Sequence, residues 1–110
     1  MTLREFESIL KLAKIPVARY GIVTTEYPYI VWQELSTEYK WASGQTFRKD
    51  VLVEVVHFTK LPYDPSLHRL ENALLKNKFV FRISHGFDPE DKIIINQFTL
   101  TVDDEVEVEQ

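Results

Sequence analysis

A chain of 110 residues, 45% of them apolar, can bury roughly two-thirds of its unfolded surface in one hydrophobic core, and two domains would each be too small. The absence of cysteine excludes disulfide bonds, thiolate metal sites and a cysteine nucleophile. The formal net charge of −4 becomes +1 once five acidic residues near the end are set aside, so the charge balance does not indicate nonspecific nucleic-acid binding.

The first segment has the pattern of an amphipathic helix. Thr2 and Glu5 have the capping-box spacing, in which each side chain can satisfy a free backbone N–H at a helix start. Apolar residues then recur at helical spacing, and we expect a helix over residues 2–13 that ends before Pro16. From there the composition changes to β-branched residues, and Val17 to Thr25 predicts a short strand.

Two longer segments predict a β-hairpin. The run Tyr29 to Leu35 is typical of a strand and continues, with an interruption, towards Trp41. Ala42 to Gln45 has the composition of a turn, and Phe47 to Thr59 is expected to form the next strand. Two long strands joined by a short turn favour antiparallel pairing.

A second helix has clear start and stop residues. Asp64 is a suitable N-cap, Pro65 suits the first helical position, and Asn77 can adopt the left-handed conformation that closes a helix. The apolar residues between them share one helix face: Leu67, Leu70, Ala73 and Leu74.

The remaining chain predicts two more strands. Alternation over residues 79–87 has the period of a strand with one buried face, residues 88–91 form a turn, and Lys92 to Val102 make the last strand. Residues 1–102 are therefore expected to form a single domain, followed by an acidic tail at 103–110.

The element order α-β-β-β-α-β-β indicates the α+β class. Hairpin-connected strands imply a mainly antiparallel sheet, and two amphipathic helices are enough to cover one of its faces. The other face is expected to carry tyrosine, tryptophan, threonine and charged residues, left exposed or covered by a partner. No run approaches the roughly 18 apolar residues of a membrane span and the first residues are charged, so we expect a soluble protein made in the cytoplasm.

Motifs for catalysis or cofactor binding are not found. His57, His68 and His85 lack the short spacings that bring two imidazoles to one metal ion. The three glycines are isolated, so no phosphate-binding loop is present. Asp88 and Glu90 could act as an acid–base pair, but their Asp-Pro-Glu-Asp context favours a solvated turn. We therefore expect no enzyme activity, no catalytic or metal-ligating residues and no cofactor.

The hairpin tip is the candidate interface. Aromatic residues on strands usually fill a core or pair across strands. The alternative is that Tyr39, Trp41, Phe47, Arg48 and Lys49 form an oligomer interface, because Trp, Tyr and Arg are enriched among residues that dominate binding energy.

The acidic end of the chain also allows two interpretations. It can be a solvated, frayed tail that aids solubility. Alternatively, the alternating Val-Glu pattern of residues 105–109 continues the last strand and pairs with the edge of a neighbouring subunit.

Four segments occur in order along the chain: Leu-Ala-Lys-Ile-Pro-Val-Ala-Arg-Tyr at 12–20, Tyr-Pro-Tyr-Ile-Val-Trp at 27–32, Tyr-Lys-x-Ala-Ser-Gly at 39–44, and Phe-Thr-Lys-x-x-x-Asp-Pro at 58–65. Together they resemble the small head-tail connector proteins of long-tailed bacteriophages and of prophages of Gram-positive bacteria. The likeness extends from about Leu12 to Val102 and is greatest to the tail terminator, also called the tail completion or minor capsid protein. The acidic Val-Glu ending departs from it.

The resemblance implies a non-enzymatic virion assembly protein. Such a subunit would form a ring, for which the resemblance implies six copies. The ring would cap the tail tube and contact head-connector proteins, first in the host cytoplasm and then in the virion. No functional residue is carried over, because the family pattern is structural. The alternative is another small binding module, either a different phage connector or a regulatory domain that recognises a peptide or, through Arg48 and Lys49, nucleic acid.

Overall fold

A computed structural model describes residues 1–21, 26–43 and 46–107, with side chains for all of these except 41–43, 46–47 and 105–107. The elements are helix α1, Leu3–Leu10, with a 3-10 turn at Lys11–Ala13; strands β1, Val17–Arg19, β2, Tyr29–Ser43, and β3, Thr46–Thr59; helix α2, Pro65–Lys76; and strands β4, Phe81–Asp88, and β5, Ile93–Glu107. This order, α-β-β-β-α-β-β, confirms the predicted α+β class.

The five strands form one sheet in the order β1-β2-β3-β5-β4. Three of the four strand pairs are antiparallel, and only β1 and β2 run parallel. Both helices pack on one face of this sheet, where they enclose the core: Phe6, Ile9, Leu10, Ile30, Trp32, Val51, Val53, Val55, Leu70, Ala73, Leu74, Phe98, Leu100 and Val102. The prediction that tryptophan lies on the other face is wrong for Trp32, which is 1% exposed beneath α1 and contacts Phe6 edge-on.

The helix starts follow from their caps. Thr2 Oγ1 accepts from the Glu5 backbone N–H, and the carboxylate of Asp64 accepts from the Ser66 backbone N–H. The end of α2 differs from the prediction: Asn77 keeps a negative φ, and Lys78 adopts the left-handed conformation with φ 62°. Asn77 instead donates its side-chain amide to the Ala73 carbonyl, which also accepts from the Asn77 backbone N–H at the end of the helix.

Strand β1 is shorter than predicted. It ends at Arg19 because Tyr20 and Gly21 both have positive φ, 58° and 72°, which turns the chain out of the extended conformation. Residues 22–25, which the prediction included in this strand, lie outside the described residues.

Strand β5 is longer than predicted. It continues past Val102 to Glu107, and residues 103–107 pair with β3 of the same chain from Asp50 back to Thr46. The predicted boundary between domain and tail therefore falls inside a strand. Over residues 105–107 the alternating pattern extends the strand, as the second interpretation held, whereas residues 108–109 lie outside the described residues. The pairing seen is with β3 of the same chain, and pairing with a neighbouring subunit stays a prediction. Among the described residues, no helix is long and apolar enough to cross a membrane.

Candidate functional site

The far ends of β2, β3 and β5 form a three-stranded arm that projects beyond the helices. We define the arm as residues 38–43, 46–50 and 103–107, which lie outside the last buried row of Val51 and Val102. None of the side chains described for the arm is buried. The arm contributes to the length of the molecule, which measures 53 × 25 × 21 Å.

All five residues of the predicted interface lie in the arm. Tyr39 and Lys49 are direct partners across β2 and β3, and Trp41 and Phe47 are paired by their backbones, although their side chains are not among those described. Tyr39 is 61% exposed. Because side chains alternate along a strand, Arg48 points to the opposite face from Tyr39 and Lys49. The five residues are therefore neighbours but do not form one continuous face.

Ion pairs tie the arm together on the face that the helices leave uncovered. Arg48 Nε lies 2.9 Å from Asp50 Oδ1, and an Arg48 terminal nitrogen lies 3.2 Å from Asp103 Oδ2. Lys40 Nζ lies 3.9 Å from carboxylate oxygens of both Glu38 and Asp50. Arg48, which the nucleic-acid alternative needs, is thus already engaged by two carboxylates.

The two aspartates of this cluster are direct partners across β3 and β5. A hydrogen bond with Asp103, together with one from Arg48, holds the pKa of Asp50 below its ordinary value. The same bond with Asp50, together with burial, raises the pKa of Asp103. Opposite shifts of the two pKa values are expected when two carboxyl groups face each other and one of them keeps a proton more easily.

Both outer strands of the arm have an edge without a neighbouring strand among the described residues. On one side β1 covers only Ile30 to Trp32 of β2. On the other side β4 covers β5 only as far as Leu100. Beyond that point the Met1 amino group donates to the Asp103 carbonyl at 3.0 Å and lies 3.8 Å from Asp104 Oδ1. The unpaired edges belong to different strands and carry different sequences.

The uncovered sheet face changes in character along its length. Near the end distant from the arm it carries Val31, Val56 and Phe58, which are half-buried and line a shallow groove of about 230 Å³. Towards the arm the same face carries the charged row of Glu38, Asp50 and Asp103.

A buried polar network, which the sequence did not predict, lies at the other end of the molecule. His57 is 0% exposed, and its Nε2 lies 2.7 Å from Ser66 Oγ at the start of α2. Its Nδ1 lies 3.3 Å from Asn96 Nδ2. Asp64 accepts from Thr59 Oγ1 at 2.5 Å and from the Ser66 backbone N–H at 2.8 Å. The available sequence signal was the placement of His57 and Asn96 at positions of β3 and β5 that otherwise face the core.

The Ser66–His57–Asn96 order is that of a nucleophile, a base and an orienting group, but the protons are placed differently. Since the Asn96 amide donates to Nδ1 of His57, the ring proton lies on Nε2 and is donated to Ser66. A general base must instead accept the serine proton. Ser66 is also 1% exposed, so a substrate cannot reach it in this conformation. This arrangement accounts for the start of α2 rather than for a reaction.

His68 lies apart from this network on the exposed side of α2. The described residues contain no group of three His, Asp or Glu side chains that could bind a metal ion. Asp88 Oδ1 accepts from the backbone N–H groups of Glu90 and Asp91, at 3.0 Å and 3.5 Å, as in the solvated turn that the sequence favours.

No protein-family model matches the chain, and no curated protein matches it. A solved structure described as a crystal structure from Akkermansia muciniphila is similar over 97% of this chain and 73% of its own, with 10% sequence identity and a TM-score of 0.44. A likeness at this level carries no argument about function.

Proposed function

We propose that this protein is a non-enzymatic virion assembly subunit of the tail-terminator kind, which associates into a ring at the junction between phage head and tail. The observation that carries the proposal is the arm, whose two outer edges differ in sequence and have no neighbouring strand in the part of the chain that the structure describes. The segments from Leu12 to Val102 that resemble head-tail connector proteins support the same function. In this proposal the protein acts in the host cytoplasm during assembly and then in the virion.

A ring requires two different surfaces on each subunit that mate head to tail, whereas a two-fold dimer uses the same surface twice. The β5 edge carries Asp103, Asp104, Glu105 and Glu107. Two copies of this edge would place like charges opposite each other, which is unfavourable in a sheet. The β2 edge carries Glu38 and Lys40, whose charges cancel, beside the exposed Tyr39, so it repels the acidic β5 edge less than a second copy of that edge would. The charges thus favour a head-to-tail contact over a symmetric one.

Sedimentation velocity over a range of concentrations tests the self-association. We expect a mass several times 13.0 kDa at high concentration. Tyr39→Glu should lower that mass because it adds a negative charge to the edge that faces an acidic strand. Tyr63→Glu is the matched control, since Tyr63 is fully exposed but lies in the loop before α2. A wild-type protein that stays monomeric at all concentrations would overturn the proposal.

The partner test uses purified tail-tube protein. A subunit that caps a finished tube should bind the tube end in pull-down and in electron micrographs, and Tyr39→Glu should reduce this binding together with the ring mass. The alternative, a nucleic-acid-binding module, predicts a salt-sensitive affinity for DNA that Arg48→Gln removes. That alternative has less support, because the Arg48 guanidinium contacts Asp50 and Asp103.

A further inference from the structure

One asparagine lies between two histidines in the middle of the sheet. Asn96 on β5 is the direct cross-strand partner of His57 on β3 and of His85 on β4. Its Nδ2 lies 3.3 Å from Nδ1 of His57, and its Oδ1 lies 2.7 Å from Nδ1 of His85. Asn96 is 2% exposed and His57 is fully buried, whereas His85 is exposed. One amide therefore connects a surface imidazole to a buried one.

The chemistry of an amide restricts the protons on both rings. A carboxamide has one donating end, the NH₂ group, and one accepting end, the oxygen. When Asn96 bonds both rings, the Nδ1 atom that faces the oxygen must carry a proton and the Nδ1 atom that faces the NH₂ group must not. We infer that Asn96 acts as a relay between the two rings: when Nδ1 of one histidine carries a proton, Nδ1 of the other does not.

In the arrangement seen, His85 Nδ1 holds the proton and His57 Nδ1 does not. His85 can then carry a second proton on its other nitrogen without disturbing the relay, whereas His57 must stay neutral. If a partner that accepts a hydrogen bond from Nε2 of His85 holds the neutral ring in its other tautomer, Nε2 takes up a proton from solvent as Nδ1 releases one, and the amide is then free to rotate. After that rotation its oxygen faces His57, which can then hold protons on both nitrogens.

The groups that face His57 agree with this assignment. They are Ser66 from α2, Asn96 from β5 and, further away, the Asp64 carboxylate at the α2 N-cap; the cross-strand neighbour on β2 is the apolar Ile30. Burial lowers the pKa of His57, while the charge of Asp64 opposes this effect. The neutral form of His57 is therefore the one that the closed structure favours.

The relay connects two separate surfaces. His85 is exposed on β4, the outermost strand, while Ser66 and Asp64 border a groove of about 500 Å³ at the start of α2. Protonated His57 could no longer accept from Asn96 in its present orientation, so the amide and the contacts of Ser66 would have to rearrange. Binding of such a partner at the β4 surface would thus alter the first turn of α2.

Nitrogen-15 NMR of the imidazoles tests the relay directly, because long-range correlations show which ring nitrogens carry protons. At pH 7.5 we expect a proton on Nδ1 of His85 and none on Nδ1 of His57. Asn96→Asp should put protons on both Nδ1 atoms and raise the titration midpoint of His57 by about 1 to 3 pH units, since a carboxylate accepts at both ends. Protons on both Nδ1 atoms, or on neither, in the wild-type protein would overturn the inference.

A second variant keeps the test valid if Asn96→Asp does not fold. His85→Leu changes an exposed side chain and leaves the amide free to rotate, so His57 should show a mixture of both neutral tautomers and a higher titration midpoint. His68→Leu is the matched control, because it removes an exposed imidazole on α2 outside the relay, and it should leave the His57 spectrum unchanged. A His57 tautomer and midpoint that stay at wild-type values in His85→Leu would contradict the relay.

Discussion

Replacing Asp64 by alanine should be among the more damaging single substitutions at a polar residue. The change removes the acceptor of the Ser66 backbone N–H at 2.8 Å and of the Thr59 hydroxyl at 2.5 Å. Loss of an N-cap costs about 1 kcal/mol, and a buried hydroxyl left without an acceptor costs about 1 to 3 kcal/mol. Because Thr59 is 2% exposed, water cannot readily replace the carboxylate. We expect Asp64→Ala to lower the free energy of unfolding by about 2 to 4 kcal/mol.

Urea denaturation followed by circular dichroism measures this loss. Asp64→Asn is the matched control: its amide oxygen can still accept from the Ser66 N–H and its NH₂ group can donate to the Thr59 oxygen, so it should cost about 1 kcal/mol. A loss below about 0.5 kcal/mol for Asp64→Ala, the range typical of surface substitutions, would refute the assignment of both hydrogen bonds to this carboxylate.

The same carboxylate makes a specific pH dependence testable. Burial alone would raise the pKa of Asp64, but hydrogen bonds from Thr59 and Ser66 hold it below its ordinary value. A carboxyl group whose pKa is lower in the folded state stabilises the fold above its unfolded pKa of about 3.9 and loses that contribution as the pH falls through the folded value. Asp64→Asn should therefore flatten the decline in stability below about pH 4. If Asp64→Asn loses stability below about pH 4 as steeply as the wild-type protein, the lowered pKa of Asp64 is contradicted.

Three further predictions concern the core. Trp32→Phe keeps an aromatic ring beside Phe6 but removes the indole N–H that donates to Glu7 Oε2 at 2.9 Å. It should lower the free energy of unfolding in urea by about 1 to 2 kcal/mol, a limited loss because water can reach the half-buried Glu7 carboxylate. Burial lowers the pKa of His57, so the unfolded state binds a proton at a higher pH than the folded state does. Stability should therefore fall as the pH drops below about 6.5, and His57→Phe should remove this dependence. Thermal melts at pH 7.5 and 5.5 measure it. Leu74→Ala in the fully buried face of α2 should cost about 2 to 5 kcal/mol in urea, whereas Leu75→Ala, at an exposed position, should stay within about 0.5 kcal/mol; equal losses would contradict the described packing.

The element order could be predicted because the chain marks its boundaries with residues whose effect is local. Thr2 and Asp64 cap the two helices through side-chain bonds that reach only two or three residues along the chain. The strands between them differ from helices in the period of their apolar residues. Such signals depend on neighbours in sequence, so a single chain is enough to read them.

Other features depend on which strands become neighbours, and the sequence does not contain that information locally. The extension of β5 to Glu107 needs the far half of β3 beside it, and an acidic segment is otherwise typical of a solvated tail. Likewise His57 and Asn96 are 39 positions apart and become partners only through the sheet register. The left-handed residue after α2 is Lys78 and not Asn77, because conformational propensity alone does not determine which of two adjacent residues adopts positive φ.

The absence of buried side chains among those described in the arm has a consequence for its motion. The body is closed by a core that must unfold as a unit, whereas the arm is held by backbone pairing and by exposed ion pairs, each worth little in water. Backbone amides of residues 46–50 should therefore exchange with deuterium much faster than those of Val53 and Val55 in the same strand. One continuous strand would then belong to two units of different local stability, and association at the arm would be visible as slowed exchange there alone.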